Sequence, residues 1–451
     1  MRIGLIAMSG VRVKSAELAA LGVTLPGFVH RGKVIASLPS LGLLTVAALT
    51  PAQHEISYIE LQEFAGFVPR SDFDLVGISS MTAQIEEAYE VADYFRRRGI
   101  PVVMGGLHVS QLPEEALEHA DAVVINGAEG VWPQVVADAE RGHLRRIYRG
   151  ADDNVFAPGR YVRPRFDLLR GRKYNRVTIQ TSRGCPRACE FCAASLRITR
   201  RFNQKPVPLV LEEIREARRH VARPFFEFAD DNTFLNKTWS KELLRALAPE
   251  GIHYFTETDA SIAEDEELCD LLAESGCKQV LIGFESPRPD DLNAMDPVGW
   301  KKKQAPHCER VVESLQSRGV SVNGCFILGL DNHTPDIFPS ILDFVRRSGL
   351  AEVQFTVLTP FPGTPLYQRL KTEGRLLAGR FWDACTLFDV NYRPKQMSVN
   401  ELEEGLRWLF REAYNRQESS LRLRNFVRQR KKTAPDDNFP SGRSCHFYEN
   451  G

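Results

Sequence analysis

The sequence predicts an α/β protein built from two parallel-strand units and a mainly helical C-terminal extension, and three observations lead there. Over residues 1–145, short β-rich runs at 2–8, 55–60, 74–79, 101–104 and 122–125 alternate with amphipathic stretches, the pattern of an open parallel sheet covered by helices. From residue 176 a second βα series begins, with runs at 177–181, 225–229, 253–258, 279–284, 321–328 and 352–358. Six such units are too few for an eight-unit closed barrel, so an open, partial barrel is expected over 176–370. Residues 146–175 are rich in Arg, Pro, Gly and Asp without periodicity and read as a linker. Residues 371–451 read as an extension whose helix, from Val399 to about Lys432, precedes a mobile tail.

A chain of 451 residues with 43% hydrophobic composition can bury more than one core. Lys plus Arg and Asp plus Glu both count 58, so no global charge favours nucleic acid or an anionic membrane, and no nucleic-acid partner is expected. The N-terminus lacks the features of a secretory signal, and the apolar stretch at 41–49 is far short of the ~20 residues of a membrane span. A cytoplasmic protein without a transmembrane segment is therefore expected. Nine cysteines, three of them within eight positions, do not form a disulfide framework and fit metal ligation in a reducing compartment.

Those three are Cys185, Cys189 and Cys192, a C-x3-C-x2-C loop directly after the first strand of the second series. Three thiolates on one tight loop suit an iron-sulfur cluster and leave one iron open. The alternatives are a zinc knuckle or buried structural thiols; zinc sites favour paired C-x2-C ligands, and no second pair follows.

With Phe191 just before the last cysteine, the loop resembles the hallmark of the radical S-adenosylmethionine superfamily. The resemblance implies a partial (β/α)6 TIM-type barrel holding a 4Fe-4S cluster. It also implies that the cluster's open iron binds S-adenosylmethionine and that reductive cleavage gives a 5'-deoxyadenosyl radical. Asp230 and Asp231, after the second strand, stand where the family contacts the methionine ammonium, although Asp231 also reads as a residue of a helix N-cap. Glu285, closing the fourth strand, fits the ribose hydroxyls, with a surface salt bridge as the other reading; Glu257, closing the third, is a second candidate. Gly324 and Gly329 resemble the fifth-strand motif beside the adenine, with Asp331 in place of the usual Glu, though glycines in strands also mark bulges. Cys325 between them is a candidate hydrogen-atom donor or an inert buried thiol.

The first unit resembles the Rossmann-like (flavodoxin-like) cobalamin-binding domain fused ahead of the radical core in one subfamily. The resemblance rests on residues 39–44, 77–82, 103–108 and 127–130, and on the closing segment 359–367. It implies a cobalamin shelf from Ser79, Ser80, Thr82, Gly105, Gly106, His108, Gly127 and Glu129. No D-x-H-x-x-G motif follows the first strand, so the usual histidine ligand to cobalt is missing; His108 is either an axial ligand or a residue that caps a turn or contacts a side chain.

These features lead to a cobalamin-dependent radical methyltransferase acting on an unactivated carbon or phosphorus of a small molecule. The other readings are a radical cyclase, rearrangement enzyme or oxidoreductase, and a non-catalytic iron-sulfur sensor. The cluster needs an electron donor such as flavodoxin or ferredoxin. The basic run Arg422, Arg424, Arg428, Arg430, Lys431 and Lys432 is either a solvated helix end or a dock for that donor. Loops 10–37 and 371–398 are expected to shape the substrate pocket.

Overall fold

The computed structural model describes residues 1–10, 13–20, 38–65, 72–151, 154–172, 174, 176–187, 189–193, 201–293, 295, 299–377 and 381–431. The expected loop at 10–37, Lys432 and the tail therefore lie mostly or wholly outside the described residues.

The first sheet consists of β1 (Arg2–Met8), β2 (Glu55–Leu61), β3 (Leu75–Ser79), β4 (Val102–Gly105), β5 (Ala122–Ile125) and β6 (Ile147–Arg149). All neighbours are parallel, in the order β2-β1-β3-β4-β5-β6, which is the flavodoxin-like order with one strand added. β1 is apolar almost throughout because both faces are covered. Ile3 and Leu5 face helices Leu41–Leu49 and Trp132–Glu140, while Ile6 and Met8 share a second core with helix Ile85–Arg96.

Two findings depart from the sequence reading. β6 lies inside the stretch expected as a linker; at three residues on a sheet edge it is too short to show a period. Among the described residues of the rest of that stretch, Phe156, Phe166 and Leu169 are buried against the protein.

The second sheet has six strands, all parallel and side by side in sequence order. Its strands are β7 (Val177–Ile179), β10 (Phe225–Phe228), β11 (His253–Thr258), β12 (Cys277–Glu285), β13 (Ser321–Leu328) and β14 (Glu352–Val357). A short antiparallel pair, β8 (Ser182–Arg183) and β9 (Asn203–Gln204), stands at the mouth. The outward residues Val280, Ile282, Phe284, Val322, Phe326 and Phe355 join one core with the covering helices. The opposite face is polar, carrying Thr178, Glu227, Glu257, Gln279, Asn323 and Gln354. This is the open six-strand barrel expected from the sequence.

Among the described residues, the span from Val399 to Lys431 forms two helices, Val399–Ala413 and Arg416–Lys431, where a single one was expected. The break falls at Asn415, whose Oδ1 accepts from Glu418 N at 2.9 Å and starts a new helix. Within the basic run Arg422 is 5% exposed, its guanidinium donating to Ala413 O and lying over the Tyr414 ring, so it belongs to the packing; Arg424, Arg428 and Arg430 are exposed. Among the described residues no helix is long and apolar enough to cross a membrane.

Gly405 lets the first of these helices seat on helix Ile337–Ser348, since a Cβ there would lie 2.0 Å from Phe338 Cζ. Gly405→Ala is expected to destabilise the chain by about 1–3 kcal/mol. Urea denaturation checks this: the midpoint should fall with little change in slope, and Phe338→Leu in the same chain should recover part of the loss.

Candidate active site

The cysteine loop is tied down at both ends. Asp230, 4% exposed, accepts hydrogen bonds from Thr181 N (2.7 Å), Ser182 N (2.9 Å), Thr181 Oγ1 and Thr233 Oγ1 (3.0 Å). Its carboxylate is occupied in fastening the start of the loop. Asp231 Oδ2 accepts from Gly184 N at 3.1 Å, and Gly184 takes the left-handed φ of +87° that glycine reaches without strain. Burial, and then the adjacent Asp230, push the Asp231 carboxyl up to about 6.

At the far end, Glu190 O accepts from Leu366 N at 3.0 Å, and its carboxylate makes a two-pronged pair with Arg369, 2.7 and 3.1 Å. Arg369 and Arg375 also grip Asp331 at 2.7 and 2.9 Å, so the residue that stands for the family's fifth-strand Glu serves this clamp. Arg187, in the middle of the loop, lies 3.5 Å over the Trp300 ring.

Among the described residues no cysteine is in a disulfide. Cys185 and Cys192 are partly exposed, Cys189 is buried, and Cys192 N donates to Cys189 O at 3.1 Å. Burial holds the Cys185 thiol above its usual range, and the nearby Asp231 and Cys192 reinforce the shift. No three His, Cys, Asp or Glu side chains converge as on a single ion among the described residues. A four-iron cube takes one thiolate at each of three corners, so its ligands stand further apart than those of a mononuclear site. The thiol loop at the barrel mouth suits that group.

On the barrel's inner face, burial followed by Glu227 and Asp231 pushes the Glu257 carboxyl up to about 8. Glu285 is 4% exposed and has a left-handed φ of +65° at a bulge in β12. Its Oε1 is 2.6 Å from Lys301 Nζ, which also donates to Gly283 O at 3.0 Å. The ion pair weighed for Glu285 is therefore present, but buried. Cys325 Sγ lies 4.0 Å from Thr356 Oγ1, and burial, then Glu285, hold the thiol protonated.

The two glycines expected beside the adenine have packing roles. A Cβ on Gly324 would stand 2.8 Å from Leu350 Cδ1 and 3.0 Å from Phe284, on the outward face of β13. Gly329, φ +84°, makes room for the Tyr392 hydroxyl, which donates to its carbonyl at 2.5 Å.

Between the sheets lies a cleft whose empty space, open mouth included, is about 1360 Å³. One side is formed by Ser79, Gly105, Gly106, Gly127 and Glu129, at the carboxyl ends of β3, β4 and β5; the other includes Gln180, Arg183 and Ala229 at the barrel mouth. Gly106 in this cradle has a φ of +110°, and a Cβ there would be 3.2 Å from Ser80 O, so glycine is needed at that position. The crevice continues along the sheet between Leu43, Val46 and Trp132. A broad shelf of backbone beside an apolar crevice suits a corrin.

Three residues expected on that shelf do not line the cleft. Ser80 is buried with its hydroxyl on Met81 O, and Thr82 is buried in the following turn. His108 is wholly buried, 3.2 Å from Glu115 Oε1 and edge-on to Trp382, so it is a core histidine and the cleft lies elsewhere. Conversely, Phe156, Tyr161, Arg183, Lys205 and Glu213 line the cleft and were not singled out from the sequence. Only the fold brings them together, and no local spacing marks them.

Two outcomes follow from this geometry. Asp230→Ala strips the acceptor from two buried N–H groups and should cost about 3 kcal/mol while lowering iron uptake on anaerobic reconstitution. Iron per chain and the urea midpoint check it. Glu257 in the folded chain keeps, up to about pH 8, a proton that the unfolded chain releases near 4.5. Its stabilising contribution is therefore complete below about pH 4.5 and lost as pH rises through about 8. Glu257→Gln should flatten the fall in urea stability of the cluster-free chain across that window.

Residues 179–345 match the Radical SAM superfamily, residues 29–136 a B12 binding domain and residues 364–445 a domain of unknown function. The chain is 30% identical over 351 residues to the bacteriochlorophyllide d C-8(2)-methyltransferase of Chlorobaculum tepidum, covering 74% of this chain and 76% of that one. It is 29% identical over 387 residues to the C-12(1)-methyltransferase of the same organism, covering 84% and 83%. In fold it resembles the radical S-adenosylmethionine methyltransferase TsrM of Kitasatospora setae, with a TM-score of 0.62, 18% identity, and 84% and 76% of the two chains covered. Its cofactors are a 4Fe-4S cluster, S-adenosylmethionine and cobalamin. The chain belongs to the cobalamin-dependent radical S-adenosylmethionine enzymes, among the methyltransferases of that family.

Proposed function

We propose that the enzyme methylates an unactivated carbon or a phosphorus centre of a small molecule held between the two sheets. One observation carries this reading: a single cleft is walled on one side by the glycine cradle of the first sheet and on the other by the mouth of the cysteine-bearing barrel. When bound, cluster and S-adenosylmethionine supply a 5'-deoxyadenosyl radical, and the corrin carries the methyl group.

The chain's own residues hold and orient these groups. Cys185, Cys189 and Cys192 ligate the cluster, and Asp230 acts as a positioning residue that fixes the loop's entry. Asp231, Glu257 and Glu285 present carboxyl groups to S-adenosylmethionine from the barrel's inner side, and Lys301 holds the Glu285 carboxylate. Ser79, Gly105, Gly106, Gly127 and Glu129 support the corrin. In this reading the corrin carries no imidazole ligand from the protein. Residues 1–145 and 176–370 divide the work as corrin-binding and radical-forming units. The cluster draws electrons from a flavodoxin or ferredoxin in the cytoplasm, and the exposed Arg424, Arg428 and Arg430 offer such an acidic protein a surface. Cys325 offers a protonated thiol beside Thr356 as a hydrogen-atom donor.

The test uses S-adenosylmethionine with a deuterated methyl group. The product should gain the label, and S-adenosylhomocysteine and 5'-deoxyadenosine should form in equal amounts after subtraction of cleavage without substrate. An unlabelled product formed with 5'-deoxyadenosine alone would move the assignment to cyclisation or rearrangement.

A further inference from the structure

The cleft floor carries a charged pair that the roles above leave without a task. Lys205 is 2% exposed and Glu213 1%, and Lys205 Nζ donates to Glu213 Oε1 at 2.6 Å. Tyr161 donates its hydroxyl to that same oxygen at 2.6 Å. Oε1 is thus doubly satisfied, whereas Glu213 Oε2 is buried with no hydrogen-bond partner. Lys205 Nζ has three N–H donors and, among the described residues, this one hydrogen bond, with the Phe156 and Tyr161 rings 5.2 and 5.4 Å away. Its backbone is fixed, because Lys205 N donates to Thr181 O at 2.9 Å, next to the Asp230 anchor.

A buried carboxylate oxygen without a donor is costly, and so is an ammonium with donors to spare. Both are satisfied by one planar group that accepts a hydrogen bond on one atom and donates on the next. A primary carboxamide has that form: its oxygen takes an N–H of Lys205 and its NH2 donates to Glu213 Oε2. A carboxylate cannot donate and would bring a second negative charge against Glu213. An ester could accept from Lys205 but would leave Oε2 bare.

We infer that Lys205 and Glu213, with Tyr161, form a recognition site for a peripheral carboxamide of the corrin, so that the cleft selects amidated corrinoids over those carrying a carboxylate at that position. This rests on the reading that a corrin occupies the cleft. Selection arises because the amide completes a buried network that the acid breaks.

The experiment titrates the cluster-reconstituted full chain, anaerobically at neutral pH, with hydroxocobalamin and with its complete set of monocarboxylic acids, each having one peripheral carboxamide hydrolysed. Retained corrin is read by absorbance after gel filtration. At least one acid should bind about tenfold or more weakly than the amide. Glu213→Gln, which replaces the acceptor by an amide that can donate, should bring that acid to within about threefold of the parent. The double variant Lys205→Met with Glu213→Leu exchanges the ion pair for apolar groups of similar size and should also lose the discrimination, even where the single variant folds poorly. Equal binding of all acids by the unmodified protein overturns the inference, as does discrimination that persists in both variants. If no corrinoid is retained at all, the placement of corrin in the cleft fails, and the inference fails with it.

Discussion

The whole site hangs on one buried carboxylate. Asp230 collects the backbone N–H groups of Thr181 and Ser182 together with two threonine hydroxyls, joining the turn after β7 to the turn after β10. Parallel strands leave their carboxyl-end backbone groups unpaired, and here a side chain supplies the missing acceptors. The chain can then leave the sheet at Thr181, pass Gly184 in its left-handed conformation and present three thiols at the barrel mouth. The neighbouring Asp231 extends the same fastening to Gly184 N.

Contacts across the two sheets set how the barrel mouth faces the glycine cradle. Arg183, just before the cysteine loop, pairs with Glu129 of the first unit at 2.8 Å while gripping Gln180 at 2.9 Å. On the opposite side, the Gln111 side chain of the first unit packs over Gly363, whose φ is +80°. Trp382, in the extension, packs with His108 and donates to Glu115 at 3.2 Å. The core on one face of the first sheet is continuous with that of the barrel. The cleft is consequently bounded by packed, ion-paired walls on both sides.

The strands were legible because parallel sheets covered on both faces are written as apolar runs; β11 and β13 have the ends read from the sequence. The cysteine loop was legible because its spacing is local. β6 was not, being a three-residue edge strand in a Pro- and Arg-rich stretch. At Gly324 and Gly329 the sequence alone does not separate the two cases, because a glycine making room for Leu350 or Tyr392 looks the same as one making room for a ligand. The position of His108 was equally hidden: its neighbours Glu115 and Trp382 are 7 and 274 residues away, and only the second, brought in by the fold, shows that the ring is turned inward. Lys205, Glu213 and Tyr161 escaped notice because a side chain more than fifty residues distant completes the group.

The clamp between Glu190 and Arg369 joins positions 179 residues apart, and it has a consequence for biogenesis. A ribosome has made the three cysteines long before it makes the helix Pro365–Thr372 that holds the far end of their loop. On the nascent chain the thiols are therefore tethered at the Asp230 side alone. The loop reaches its finished shape only after the last strand of the barrel and the helix behind it have docked. The final geometry of the cysteine loop therefore depends on a segment that is synthesised well after the cysteines themselves.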